Sequence, residues 1–250
     1  MNDTDSAGEV PDTFEAYVAG RSDARFTDWL RARAQPDWSS AVEHRFVEEL
    51  AAGTLEDAIF RRYLLGDYAF LDSLTGAFGH AVGDAPDMAA RSRLVDFLAV
   101  LTDDEDDYFE RSFEALDVPA SAYTDPEQTD TTRAFEDLLG RAAHEGSYAE
   151  TLAVLVPAEW IYLSWADQHA DSEPGTFYLR EWIDLHANDE FRSFVGWLRE
   201  ELDREGAAAS PQRRERLDEL FRRTVELEVE FFETAYTDGS EQSSGGEDAW

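Results

Sequence analysis

The stretch Ser147-Tyr-Ala-Glu-Thr-Leu-Ala-Val-Leu-Val-Pro157-Ala158-Glu159-Trp160-Ile-Tyr162-Leu-Ser-Trp165 reads as one helix, apolar almost all the way round. A helix apolar on every face belongs inside a protein. It carries a proline and a carboxylate in its middle. Glu159 therefore either points into a polar pocket or carries a large desolvation cost. A carboxylate so placed tends to a raised pKa and suits proton chemistry.

Around that segment helical periodicity dominates and no alternating strand pattern persists. The pattern predicts helices over 12–19, 23–34, 37–52 and 54–82, the last with Thr54 as N-cap and acidic residues in its first turn. A further helix is expected from Pro86 to Leu116, with the proline in its first turn. Asp117–Asp130, with Pro119 and Pro126, reads as a loop. Helices resume over 131–145, 147–170, 175–187, 189–205 and 210–236, with Gly146 separating one pair and Gly206 and Pro211 another. Residues 237–250 are rich in Ser, Gly and Asp and read as a disordered acidic tail. One all-α domain over 1–236, built of long antiparallel helices, is the economical reading.

The charge describes the solvent first. There are 56 acidic residues against 21 basic ones, a formal charge of −35, and every basic residue other than histidine is arginine. Apolar content of 43% with 13% aromatics rules out disorder as the reason. The expected source is a salt-loving organism, where salt screens the repulsion of an acidic surface. Such a field repels phosphates, and no arginine stripe with interleaved aromatics appears, so no nucleic-acid partner is expected. The chain has no cysteine, which removes disulfides, thiolate metal sites and thiol nucleophiles together. No apolar run is long enough for a membrane span. The polar start Met-Asn-Asp-Thr-Asp-Ser is unlike a signal peptide. A cytoplasmic protein is expected.

Metal and nucleotide motifs are missing. None of the five histidines lies three residues after a glutamate, and there is no His-Glu-x-x-His, phosphate-cradling glycine loop or Gly-x-Ser-x-Gly. No metal and no cofactor are expected. Three carboxylates stand in apolar surroundings. Asp67 shares a helical face with Tyr63, Phe70 and Leu71; the alternative is a buried hydrogen-bond partner of a tyrosine or a backbone group. Glu228 lies with Phe232 and Tyr236 beside a seam of Leu227, Phe231 and Ala235, although most glutamates in so acidic a chain are solvated. Glu159 has Leu155, Val156, Tyr162 and Leu163 one turn away. His186 reads equally as a core or surface histidine, and Phe135, Tyr162 and Trp160 as core filler.

In order along the chain these segments resemble the TenA/thiaminase II family. The matching pieces are Trp38 with His44-Arg-Phe46-Val-x-Glu-Leu50 and Gly53-Thr-Leu55, then Phe60-x-x-Tyr63-Leu-x-x-Asp67-Tyr68. Tyr148-Ala-Glu150-x-Leu-Ala-x-Leu-x-Pro157-x-x-Trp160-x-Tyr162 follows, then Trp182-Ile183 and Glu228-x-x-Phe231-Phe232-x-x-Ala235-Tyr236. The resemblance implies a haem-oxygenase-like helical bundle, a homotetramer, and hydrolysis of aminopyrimidines in thiamin salvage. It implies that Asp67 bonds the amino-pyrimidine edge, that Glu228 bonds the ring and shuttles protons, and that Tyr162 is the site tyrosine.

The departures bear on mechanism. The nucleophilic cysteine of one branch falls on Ala158, with Glu159 next to it. Family tyrosines are replaced by Phe70, Phe135 and His186, and the glutamine before the aspartate by Gly66. The chain is similar to the cysteine-free branch, associated with amidohydrolase and aminohydrolase steps on formylamino- and aminopyrimidines. The expected chemistry uses Glu159 as general base or acid, Glu228 for protonation at the pyrimidine and Asp67 to fix the ring. Phe70, Phe135, Tyr162 and Phe231 would box the ring. The alternatives are a non-catalytic pyrimidine-binding or regulatory relative, and a haem- or iron-dependent oxygenase of the same fold.

Overall fold

In the computed structural model the described residues are 10–124, 126 and 128–237, and they form helices and no strands. The expected tail from 238 to 250 lies outside them. In chain order the helices are α1 (Phe14–Val18), α2 (Phe26–Arg33), α3 (Asp37–Val42), α4 (Arg45–Ala51), α5 (Asp57–Asp84), α6 (Met88–Thr102) and α7 (Asp104–Ala115). They continue as α8 (Ala120–Thr124), α9 (Asp130–Glu145), α10 (Tyr148–Gln168), α11 (Phe177–His186), α12 (Asp189–Ala208) and α13 (Pro211–Thr234).

The apolar segment is the axis of the bundle. Every residue of α10 from Tyr148 to Ile161 is buried. It packs on α13, α12, α5 and α9, with α11 and α3 covering the rest. Its start is fixed by a reciprocal cap between Ser147 and Glu150. Arg213 of α13 reinforces that cap, with Nε and Nη2 3.0 and 2.8 Å from the Glu150 carboxylate. Pro157 sits within the helix and leaves the Ala153 carbonyl without its i+4 donor. Removing a core side chain such as Leu155, which is fully buried, is expected to cost about 2–5 kcal/mol.

α5 buries a stripe at helical spacing, Phe60, Tyr63, Leu64, Asp67, Phe70, Leu74, Ala77 and Phe78. Asp67 occupies a slot in that stripe where an aliphatic residue would serve packing.

Five features differ from those the pattern predicts. The helix expected over 37–52 is two. The backbone of His44 is extended, and its Nδ1 accepts from the Phe46 N–H at 3.1 Å, so the histidine caps α4. α5 starts at Asp57, not after Thr54, whose hydroxyl instead bonds the Glu49 carbonyl at 3.4 Å. The helix expected over 86–116 is also two. Asp87 caps α6 by accepting from the Ala89 and Ala90 N–H groups, and the chain breaks again at Asp103 (φ −127°, ψ −74°). Aspartates compete with a helix interior and suit a helix start, so the acid run opens α7. The left-handed Asp117 (φ 54°) follows α7. The expected loop after it contains α8, held by Tyr123 stacked on Phe113 at 4.6 Å. Gly206 does not end a helix; α12 runs through it. A Cβ there would lie 2.1 Å from the Phe26 ring, so this glycine serves close packing.

Candidate active site

One cavity of about 720 Å³, counted to its open mouth, lies between α5, α6, α7, α9, α10, α11, α12 and α13. Each of the longer walls presents residues three or four apart, as neighbours on one helix face. α5 contributes Asp67, Phe70, Leu71 and Leu74, and α10 Ala158, Glu159 and Tyr162. Glu228 and Phe231 come from α13, Trp182, Leu185 and His186 from α11, and Phe97, Val100 and Leu101 from α6. Phe135 of α9, Phe191 of α12 and Glu105 of α7 complete the lining. All eight residues singled out from the sequence, Asp67, Glu159, Glu228, Tyr162, Phe70, Phe135, His186 and Phe231, therefore meet in one place.

The carboxyls are well buried: Asp67 is 8% exposed, Glu159 7% and Glu228 2%. No arginine lines the cavity. Burial comes first in raising each of them. It lifts Asp67 to about 7, against the pull of a hydrogen bond from Tyr63. It lifts Glu159 to about 8, with repulsion from Asp67 adding to it. Glu228 is held well above the ordinary carboxylate range by burial and then by Asp67 and Glu159. Such a set is a reservoir of protons near neutral pH, and its members titrate as a group.

The aromatic groups give the cavity its shape. Phe70 meets Phe135 edge-on at 4.7 Å. The Tyr162 hydroxyl lies 2.8 Å from that of Tyr63, linking α10 to the helix that carries Asp67. Tyr63 packs edge-on against Phe231 at 5.6 Å. Gly66 allows this arrangement, since a Cβ there would approach the Phe231 ring to 3.3 Å. His186 Nδ1 donates to the Trp182 carbonyl at 2.9 Å. Burial lowers its pKa to about 4, that hydrogen bond opposing. The ring is neutral at working pH, with Nε2 left as an acceptor. It is buried as a core histidine is, and it also lines the cavity.

Sequence reading missed Glu105, which stands among Asp103, Asp104, Asp106 and Asp107. A signal was present: Glu105 shares a face with Tyr108, Phe109 and Ser112 at i+3, i+4 and i+7, and all three are buried. Trp182 was noted only as part of a motif. Its ring stacks on Tyr108 at 5.0 Å and meets Tyr162 edge-on at 6.2 Å, forming one wall of the cavity. Among the described residues no cluster of three His, Asp or Glu groups is arranged to hold a metal ion. No described helix is long and apolar enough to cross a membrane.

The fold and this cavity can be set beside known proteins. Residues 31–238 match the model of the TENA/THI-4/PQQC family. An aminopyrimidine aminohydrolase of Halalkalibacterium halodurans is 29% identical, over 85% of this chain and 96% of its own. An enzyme of the same name from Helicobacter pylori is 27% identical, over 84% and 98%. Among solved structures, a TenA homologue from P. horikoshii OT3 superposes with a TM-score of 0.76 at 26% identity, covering 85% of this chain and 99% of that one. A domain from Shewanella denitrificans with a haem-oxygenase-like fold superposes at 0.61 and 13% identity, over 92% and 99%, a likeness of fold alone. The family match spans most of the chain, and the bundle superposes on TenA structures and on the haem-oxygenase-like fold. The chain belongs to the TENA/THI-4/PQQC family.

Proposed function

We propose that this chain is an aminopyrimidine hydrolase of thiamin salvage, replacing the exocyclic amine of an aminomethyl- or formylaminomethyl-pyrimidine by hydroxyl without a thiol. One observation carries the reading. Three carboxyls, each more than nine-tenths buried, share one aromatic-walled cavity with a neutral histidine and no arginine. The naming of the Halalkalibacterium and Helicobacter relatives as aminopyrimidine aminohydrolases supports the substrate class.

The reaction on the amine form takes one water. The C–N bond to the exocyclic nitrogen breaks, a C–O bond forms to water, and ammonia leaves carrying a proton. Ala158 offers no nucleophile, so a carboxylate activates the water. Glu159 suits that part: with its carboxyl raised to about 8 by burial and Asp67, it can take a proton from water or give one to the departing amine. Glu228 protonates the ring, and Asp67 holds the amino-pyrimidine edge by charge-assisted hydrogen bonds. Phe70, Phe135, Tyr162 and Phe231 sandwich the ring, and the neutral His186 offers an acceptor in the same wall.

The surrounding expectations belong to the same reading. The acidic, lysine-free composition fits a halophilic, cytoplasmic enzyme, and assembly as a homotetramer follows the family resemblance. Light scattering in molar KCl checks the assembly. The function is tested in molar KCl by following release of ammonia from the aminomethyl pyrimidine, of formamide or formate from its formyl derivative and of the thiazole from thiamin. Release is expected from one of the first two, with kcat/KM lowered about 10- to 100-fold in Asp67→Asn. No release and no binding with any of the three overturns the reading.

A further inference from the structure

Glu105 is the one carboxylate of the cavity that the proposed chemistry does not use. It stands in the first turn of α7, immediately after the break at Asp103, and lines the same cavity as Asp67, Glu159 and Glu228. Four carboxyls from four helices thus face one space with no arginine among its lining. Glu159 and Glu228 make no hydrogen bond among the described residues, although both are more than nine-tenths buried. Both line the cavity, so their carboxyls are open to donors on a bound ligand. The four are not gathered as a metal-binding cluster. Their spread around an aromatic-walled cavity fits an organic cation, with several N–H donors and an apolar body.

We propose that Glu105 is a substrate-positioning carboxylate that holds a protonated exocyclic amine, so that the site selects the cationic aminomethyl pyrimidine over its neutral formylated form. The inference rests on the hydrolase reading above and narrows its substrate. Its electrostatics agree. Burial first, then Asp67 and Glu159, hold the Glu105 carboxyl well above the ordinary range, and an ammonium brought among these groups opposes both by favouring the ionised form. The groups around the cavity are Asp67 on α5, Glu159 and Tyr162 on α10, His186 on α11 and Glu228 on α13, none of which supplies a positive charge at neutral pH.

The test compares charged with neutral ligands in wild type and Glu105→Gln, all in molar KCl. KM and kcat are measured for the aminomethyl pyrimidine, and Kd by calorimetry for the uncharged hydroxymethyl product. The glutamine variant is expected to raise KM for the amine about 10- to 100-fold, the range of a hydrogen bond to a charged group. It leaves kcat and the Kd of the neutral product nearly unchanged, and Glu105→Asp restores part of the KM. Wild type itself should show a higher kcat/KM for the amine than for the formyl derivative. Equal weakening of both ligands in Glu105→Gln, or no change in either, overturns the positioning role while leaving the hydrolase reading intact. A wild-type preference for the formyl derivative overturns the selectivity. If wild type binds neither pyrimidine and hydrolyses neither, the hydrolase reading fails and this inference fails with it.

Discussion

Glu150 and Glu159 lie on the same buried helix, nine residues and about 14 Å of rise apart, and they are held in opposite states. Each is about 7% exposed. Burial pushes Glu150 up, but hydrogen bonds from Arg213 and Ser147 outweigh it and leave its carboxyl below the ordinary value. Glu159 has no such donors; burial and Asp67 raise it to about 8. Equal burial therefore does not decide a carboxylate's chemistry; the presence of donors does. The end of α10 at Glu150 is a structural joint between α10 and α13. Its middle is a store of protons beside a cavity.

Several substitutions sharpen that contrast. The largest effect is expected at Glu228, which is in the same unpaired state as Glu159. Glu228→Gln should slow ammonia release by about 10²–10⁴ while the far-ultraviolet dichroism stays native, the usual loss for a positioned acid or base. Asp67→Asn follows, with kcat/KM for the aminopyrimidine down about 10- to 100-fold, the worth of a charge-assisted hydrogen bond, and most of it in KM. At the paired end, Arg213→Ala should lower unfolding stability by roughly 1–3 kcal/mol, since a nearly buried carboxylate loses its cation. That variant should keep its turnover once folded. A loss of rate without loss of stability would break the contrast.

The pH dependence separates the two ends by sign. Glu159 is raised in the folded state, so its contribution is fully present below about 4.5 and is lost as pH rises through about 8. Thermal melts in molar KCl should then show Glu159→Gln gaining on wild type as pH rises across that window, by an amount on the order of 5 kcal/mol at most. Glu150 is lowered, so its contribution is present above about 4.5 and lost as pH falls through its folded value. Glu150→Gln should lose stability at neutral pH and converge on wild type in acid. This is the smaller effect, because the shift is smaller and Arg213 is 38% exposed.

Much of this was legible before any coordinates, and the reason lies in spacing. A site built from helix faces appears in sequence as pairs three or four apart, such as Asp67 with Phe70, Glu159 with Tyr162 and Glu228 with Phe231. Each pair sits in an apolar stripe where a charge is out of place. Glu105 was hidden because its neighbours Asp103, Asp104, Asp106 and Asp107 make it look like one more solvated acid. Only the buried Tyr108 and Phe109 beyond it mark the face. The helix breaks at His44 and Asp103 were missed for a related reason: periodicity continues across them, and the capping side chain that stops each helix is a local event. Gly206 shows the reverse, a residue that reads as a helix end but is required by the Phe26 ring.

The most direct measurement sets the two carboxylates of α10 side by side. Steady-state ammonia release from the aminomethyl pyrimidine is followed in molar KCl for wild type, Glu159→Gln and Glu150→Gln, each confirmed folded by dichroism. Glu159→Gln is expected to fall by about 10²–10⁴, while Glu150→Gln stays within about threefold of wild type. Full turnover in Glu159→Gln, or an equal loss in a folded Glu150→Gln, would contradict the assignment of chemistry to the unpaired carboxylate.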